Sequence, residues 1–363
     1  MKVALVHDFL VKLGGAERVL KVFADLYPDA PIHTLLYDES VCGKVFPPKR
    51  VIASFLQRAP GFLRKRQRYL LPLMSRAIES FDLSEYDLVL SSSNAYAHGV
   101  LIASSSKHIC YCHSPMRYIW DYTHEYLKEQ NIGGFRKAAI GRMLHKIRQW
   151  DQVAADRVDF YIANSRHVRR RIKKYYHKDS EVLYPPVDTL RFKPVKEHQN
   201  YFLIVSTLSP YKKIDLAVQL FNKIGKQLII IGSGSQFEYL QSIAASNVKL
   251  LGFKKDEIVK DYLENCRAFI FPGEEDFGIA PVEAMACGKP VLAYGKGGAL
   301  ETVIPGVTGE FFHEPDVDSM EDALGRLIVN EPNYDARVIH EHANRFSKRK
   351  FIENFQGILK KVL

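Results

Sequence analysis

Short apolar runs alternate with segments of helical period along the whole chain, and this pattern admits few folds. Candidate strands lie at residues 3–6, 88–91, 108–112 and 160–164, then at 201–206, 227–231, 248–251, 268–271 and 290–293. Each run is too short to span more than one layer, and helix-period sequence separates it from the next. Such a chain builds parallel sheets with crossover helices. At 363 residues it exceeds what one core usually organises, so two domains are expected. The break is placed at Tyr184-Pro185-Pro186-Val187, where two prolines stiffen the chain and a polar stretch follows. The expected division is 1–185 for the first domain and 186–345 for the second. A terminal segment, 346–363, carries Phe351, Phe355, Ile358, Leu359 and Val362 at helical spacing.

Residues 272–288, PGEEDFGIAPVEAMACG, carry the clearest chemistry. Glu275 and Glu283 stand eight apart around the bend Phe277-Gly278-Ile279, after an apolar run that reads as a buried strand. Pro281 suits a first helical position, and Gly288 suits the residue just past the helix end. One carboxylate is therefore expected on the loop after a strand, and the other in the first turn of the next helix. Carboxylates accept hydrogen bonds from vicinal hydroxyls, while helix N-termini attract phosphate. A molecule with both groups is a nucleotide sugar.

The segment resembles the E-x7-E signature of retaining glycosyltransferases, specifically glycosyltransferase family 4. The likeness covers nearly the whole chain, through VHDFLVKLGGAERV, YCHSPMRYIWD, NSRHVRRRI, YPPVD, LSPYKKID, IIGSG and GKPVLAYGKGGALETV in family order. YCHSPMRYIWD with LSPYKKID is most similar to bacterial mannosyltransferases of O-antigen and exopolysaccharide assembly. The resemblance implies an α/β fold of the GT-B type. That is two Rossmann-like domains, the first for the acceptor and the second for the nucleotide sugar, with a cleft between them. It also implies a terminal helix returning to the first domain.

The resemblance assigns His113 to the hydroxyls of the donor sugar near its anomeric carbon, Lys212 to the donor diphosphate and Glu275 to the sugar hydroxyls. The amides of Phe277, Gly278 and Ile279 lie beside Glu275. Glu283 is expected on the ribose diol. Gly14 and Gly15 follow the first strand, where missing side chains let backbone N–H groups approach a phosphate or sugar; most Gly-Gly pairs are plain turns. Gly298 and Glu301 form a second glycine-then-acid turn. Gly232 resembles a nucleotide-facing turn, and Phe253 is a base-pocket candidate or a core residue. Arg117 is a candidate for an acceptor pyrophosphate or an ordinary ion pair. Trp120 and Tyr122 are an acceptor platform or packing. One departure matters. The family places an arginine five residues before the lysine, and here Thr207 stands at that position. Threonine offers one neutral hydrogen bond in place of a charged fork. Lys213 and Arg166 are the candidates to replace the charge.

The net charge is +10, and the first half owns it: residues 1–185 carry 29 basic against 18 acidic residues, the remainder 22 against 23. Nine of the basic residues and no acidic one fall within 44–78, interleaved with Phe55, Leu56, Phe62, Leu63, Tyr69, Leu70 and Leu71. A second basic stretch holds Arg136, Lys137, Arg142, Lys146 and Arg148. A solvated face accounts for such runs equally well. An anionic membrane surface is the preferred partner, since each basic residue contributes about 1 kcal/mol and apolar side chains insert at the interface. No nucleic-acid module is visible. No apolar run reaches about 18 residues, so no transmembrane span is expected, and MKVALVHDF reads as a strand broken by His7 and Asp8, not a signal peptide. Five cysteines outside C-x-x-C pairs read as buried reduced thiols of a cytosolic protein, peripheral on the inner face of the membrane.

No cofactor or metal is required by this pattern, because no His/Asp cluster has ligand spacing. The donor is a nucleotide sugar, GDP-mannose by resemblance, and the acceptor a glycan or polyprenyl-pyrophosphate-linked sugar. The resemblance implies retention without a protein nucleophile, which makes the leaving phosphate oxygen the expected base, and two domains joined at Pro185-Pro186 can close to exclude water. Three other readings remain open: the same fold with a UDP- or ADP-sugar, a two-Rossmann epimerase or phosphorylase, and a catalytically impaired scaffold.

Overall fold

The computed structural model describes residues 1–121, 123 and 134–363; of the sequence-based candidates, Tyr122 and the side chains of Arg136 and Lys137 lie outside the described residues. The chain forms two compact units, Met1–Tyr184 with Gly357–Leu363, and Pro185–Gln356. Each is built on a fully parallel sheet.

The first unit carries strands β1 (Val3–Leu10), β2 (Ile32–Tyr37), β3 (Val51–Ala53), β4 (Leu88–Ser93), β5 (Lys107–Cys112), β6 (Phe160–Ala163) and β7 (Ser180–Val182), in the spatial order β3-β2-β1-β4-β5-β6-β7. The second carries β8 (Tyr201–Val205), β9 (Gln227–Ile231), β10 (Val248–Leu250), β11 (Ala268–Phe271), β12 (Val291–Tyr294) and β13 (Gly309–Phe312), ordered β10-β9-β8-β11-β12-β13. Central strands such as β1, β9 and β11 are buried along nearly their whole length, because a parallel sheet is covered on both faces. In both units the strand order reverses once, between β1 and β4 and between β8 and β11. Loops leaving the carboxyl ends of those strands diverge, and ligands of doubly wound sheets bind there. This is the α/β arrangement of two Rossmann-like domains that the sequence leads one to expect.

Several local expectations are corrected. β1 runs on to Leu10, with His7 and Asp8 buried inside it. β2, β3, β7 and β13 are additional strands: β3 and β7 are three-residue edge strands, and β13 opens on a glycine, so none shows a long apolar run. In the stretch 44–78, Leu56 and Leu70 join the core, while Leu63 and Leu71 pack against it. Phe55, Phe62 and Tyr69 stay exposed. Among the described residues no helix is long and apolar enough to cross a membrane. The five cysteines are buried free thiols.

Four helices position the sites. α1 (Gly15–Leu26) follows β1, α2 (Arg166–Tyr176) follows β6, α3 (Ile214–Ile224) follows β8, and α4 (Ile279–Ala286) follows β11. The terminal helix α5 (Lys348–Val362) is amphipathic. Lys348 donates its backbone N–H to Val187 in the second unit, 3.0 Å, whereas Lys361 pairs with Glu181 at 3.2 Å in the first.

Candidate active site

In the second unit the loops after β8 and β11 flank the reversal of strand order. Lys212 ends a short 3-10 turn after β8, and its ammonium pairs with the Glu275 carboxylate on the loop after β11. Both side chains are mostly shielded, at 11% and 23% exposure. The two loops touch backbone to backbone: a Cβ on Gly273 would stand 2.7 Å from Lys212 Cα, so only glycine lets them meet. A third loop, after β12, is tied to the same place by the Gly298 N–H, which donates to the Glu275 carbonyl at 2.8 Å.

Gly278 caps α4 at φ +86°, a conformation that side-chain-bearing residues rarely adopt. The helix begins at Ile279, which corrects two expectations. Pro281 is the third helical residue, not the first, because the positive-φ glycine already turns the chain into the helix. Glu283 therefore sits in the second turn, buried. Gly288 lies just past the end, and its N–H donates to Met285 at 2.8 Å. Phe277 is buried edge-on to Phe346, centroids 5.5 Å apart, which fixes the bend.

The remaining donor candidates spread around this centre. Thr207 is exposed at the end of β8, and Lys213 is exposed at φ +53° as the residue before α3. Gly232 follows β9, its N–H donating to Gly252 at 3.0 Å. Glu301 is half-buried in a short helical turn behind Gly298. Phe253 is 76% exposed, so it is a surface residue and not core. Among the described residues no group of three or more His, Cys, Asp or Glu has the geometry to hold a metal ion.

In the first unit, His113 follows β5 and is buried. Its N–H donates to the Ser93 carbonyl at 2.7 Å, and its Nε2 lies 2.8 Å from Ser92 Oγ. Gly14 is the residue before α1, and its N–H donates to Glu17 Oε2 at 2.7 Å; Gly15 opens the helix, exposed. Burial would raise the Glu17 carboxyl, but the hydrogen bond and charge of His7, its own backbone and Lys12 outweigh it and hold the group below the usual carboxylate range. Beside it, the buried Asp8 carboxylate accepts four backbone N–H bonds, from Asn94, Ala95, Tyr96 and Ala97 at 2.6 to 3.1 Å. That pins the loop after β4. Arg117 is half-buried in the turn beyond His113. Trp120 stacks on Tyr175, centroids 4.8 Å apart, and donates its indole N–H to buried Asp151 at 2.7 Å. Arg166 opens α2, exposed. Sequence reasoning passed over His7, Asp8, Glu17 and Ser92 as site residues; the one available signal was ionisable residues inside an apolar strand next to a Gly-Gly turn.

Comparison with known proteins decides the family. A model described as Glycosyltransferase Family 4 matches residues 13–191, and one described as Glycosyl transferases group 1 matches residues 187–350. The chain belongs to the glycosyltransferases that carry this pair of domains. The glycosyltransferase is 25% identical to alpha-1,3/1,6-mannosyltransferase ALG2 of Dictyostelium discoideum, over 78% of this chain and 77% of that protein. It is 30% identical to the GDP-mannose-dependent alpha-(1-6)-phosphatidylinositol monomannoside mannosyltransferase of Mycolicibacterium smegmatis, over 46% of this chain and 52% of that protein. Some curated relatives are thus matched over little more than half of their own length. The crystal structure of Anabaena Alr3699/HepE in complex with UDP shares the fold at a TM-score of 0.71, with 19% identity, covering 99% of this chain and 100% of that one.

Proposed function

We propose that this glycosyltransferase moves mannose from GDP-mannose, with retention, to a glycan or lipid-linked acceptor of a bacterial surface polysaccharide. The observation that carries the reading is the Lys212–Glu275 pair at the reversal of the second sheet. It sets a cation for diphosphate against a carboxylate for sugar hydroxyls, with the buried Glu283 one helical turn further on. Mannose is supported by the names of two relatives and by the likeness of YCHSPMRYIWD and LSPYKKID to O-antigen enzymes.

The chemistry asks little of the protein beyond placement and charge. As the bond from the anomeric carbon to the leaving phosphate oxygen breaks, the acceptor oxygen bonds to that carbon on the same face. Its proton passes to the departing phosphate oxygen, so atoms and charge balance without a protein nucleophile. Lys212 and the start of α4 stabilise the diphosphate charge, and no metal is required by this scheme. Glu275 orients the sugar hydroxyls, Glu283 the ribose, and His113 the hydroxyls nearest the reacting carbon. Exposed basic and aromatic side chains of 44–78 rest on the anionic membrane surface that holds the acceptor.

Calorimetric titration with GDP, UDP and ADP, then with the matching sugars, tests the reading. Preference for GDP and GDP-mannose is expected. Preference for UDP, the ligand named with the Anabaena structure, would keep the transferase and discard mannose. Binding of none at millimolar ligand would overturn the proposal in favour of a scaffold.

A further inference from the structure

A line of buried polar groups crosses the carboxyl ends of three neighbouring strands in the first unit. It starts at Glu17 in the first turn of α1, passes through His7 of β1 and Ser92 of β4, and ends on His113 after β5. Exposures along the line are 4%, 0%, 1% and 9%. Glu17 Oε1 stands 3.5 Å from His7 Nε2. His7 Nδ1 stands 3.0 Å from the Ser92 carbonyl and 3.2 Å from Ser92 Oγ. Ser92 Oγ stands 2.8 Å from His113 Nε2. His7 and Ser92 are register partners in the sheet, so the backbone ladder itself sets their spacing.

One assignment of donors and acceptors runs in a single direction along this line. A carbonyl can only accept, so His7 Nδ1 carries a proton and donates it to Ser92. The other nitrogen of the same ring, Nε2, lies 3.5 Å from Glu17 Oε1, so the carboxylate faces that edge of the ring. Ser92 Oγ also lies within reach of the His7 Nδ1 proton as a second acceptor, which leaves its own hydroxyl proton to be donated to His113 Nε2 at 2.8 Å. In that direction His113 Nε2 accepts and the ring carries its proton on Nδ1.

We propose that Glu17, His7 and Ser92 are positioning residues that hold His113 in the Nδ1–H tautomer and in one ring orientation, ready to serve the donor sugar. The role of His113 toward the sugar rests on the function proposed above; the tautomer does not. A second ring nitrogen's partner commonly fixes which nitrogen of a functional histidine is the donor. The same line reaches the Gly14 turn, because Glu17 Oε2 takes the Gly14 N–H at 2.7 Å. One carboxylate thus sets both the glycine turn and, through two groups, the histidine.

The test uses the full chain labelled with 15N-histidine and no ligand, with the His113 signals identified by their loss in His113→Gln. His113 is expected to show an acceptor-type Nε2 and a protonated Nδ1 at neutral pH, and His7 a protonated Nδ1. Ser92→Ala should release His113 into a tautomer mixture and lower kcat about tenfold, by analogy with the loss of the outer hydrogen-bond partner of a metal-ligating histidine. Donor affinity should stay within about twofold, and Ser92→Thr, which keeps the hydroxyl, should restore both signals and rate. A parent His113 protonated at Nε2, or Ser92→Ala with unchanged tautomer and rate, overturns the proposal. Because the tautomer is read without donor, it decides the relay even if a different nucleotide sugar is used.

Discussion

Lys212 and Glu275 form an ion pair between the loops after β8 and β11, the two strands at which the second sheet reverses direction. Each is the other's partner before donor arrives. The pair is held ready, and diphosphate and sugar hydroxyls replace contacts already formed. Lys212→Ala and Glu275→Ala should each lower turnover by about 100-fold or more, the scale of losing one charge-stabilising contact. Glu275→Ala also strands a shielded ammonium, at a stability cost on the order of 1–3 kcal/mol. Transfer rates near the parent's in both variants would remove this pair from the site.

Among the described residues the Thr207 side chain makes no hydrogen bond; its carbonyl accepts from the Ser209 N–H at 3.0 Å. The side chain is exposed, so an arginine there has room to extend. A guanidinium adds a charge-assisted contact to a diphosphate where the hydroxyl gives a neutral one. Thr207→Arg should tighten donor binding about tenfold, equivalent to about 1.4 kcal/mol. Unchanged affinity by calorimetry would mean that Lys213, in the same loop, already supplies the charge.

Most of the fold was legible because strands such as β8, β9, β11 and β12 are apolar runs, and β9, β11 and β12 each run straight into a glycine or proline. The E-x7-E loop was legible for the same reason: β11, the Gly278 bend and the Gly288 stop are all local signals. The relay behind His113 was not. His7 and Asp8 look like the end of a strand when read alone. Only pairing with β4 shows that Ser92 meets His7 Nδ1 and that four backbone N–H groups satisfy Asp8 in the core. The helix start was misread because Pro281 is a familiar first-turn residue, while the positive φ of Gly278 that begins the helix leaves no mark on the sequence.

Acid should destabilise the first unit through its buried histidines. Burial lowers the His33 ring to about 4, only partly offset by the Leu5 backbone. His108, also buried, is lowered to about 3. Above about 6.5 the ring is neutral in both folded and unfolded chains, and stability is at its full value. Below that the unfolded chain takes up a proton that the folded one refuses, so stability falls by about 1.4 kcal/mol per pH unit for each ring until the folded value is reached. His33 packs edge-on to Phe81 at 5.1 Å, with no partner for its buried Nδ1. His33→Phe should therefore reduce the loss between pH 7 and pH 5 by about 2 kcal/mol. Urea denaturation at the two pH values measures it, and an equal loss in parent and variant would show that His33 does not titrate this way.

The basic stretch 44–78 divides cleanly once its leucines are assigned. Leu56 and Leu70 are core, and what faces outward is Phe62, at 67% exposure, with Ile52, Phe55, Tyr69 and Leu73 among Arg58, Lys65, Arg66 and Arg68. Aromatic rings beside exposed basic side chains suit the interface of an anionic bilayer. Each basic residue there contributes about 1 kcal/mol, so Lys65→Glu with Arg66→Glu should weaken binding to phosphatidylglycerol vesicles by roughly thirtyfold or more. Phe62→Ser should weaken it less, and by a factor that salt leaves unchanged, because its contribution is burial and not charge. Flotation against vesicles with and without anionic lipid separates the two terms. Equal binding to both vesicle types, or none to either, would leave 44–78 as a solvated face and place the acceptor's carrier elsewhere.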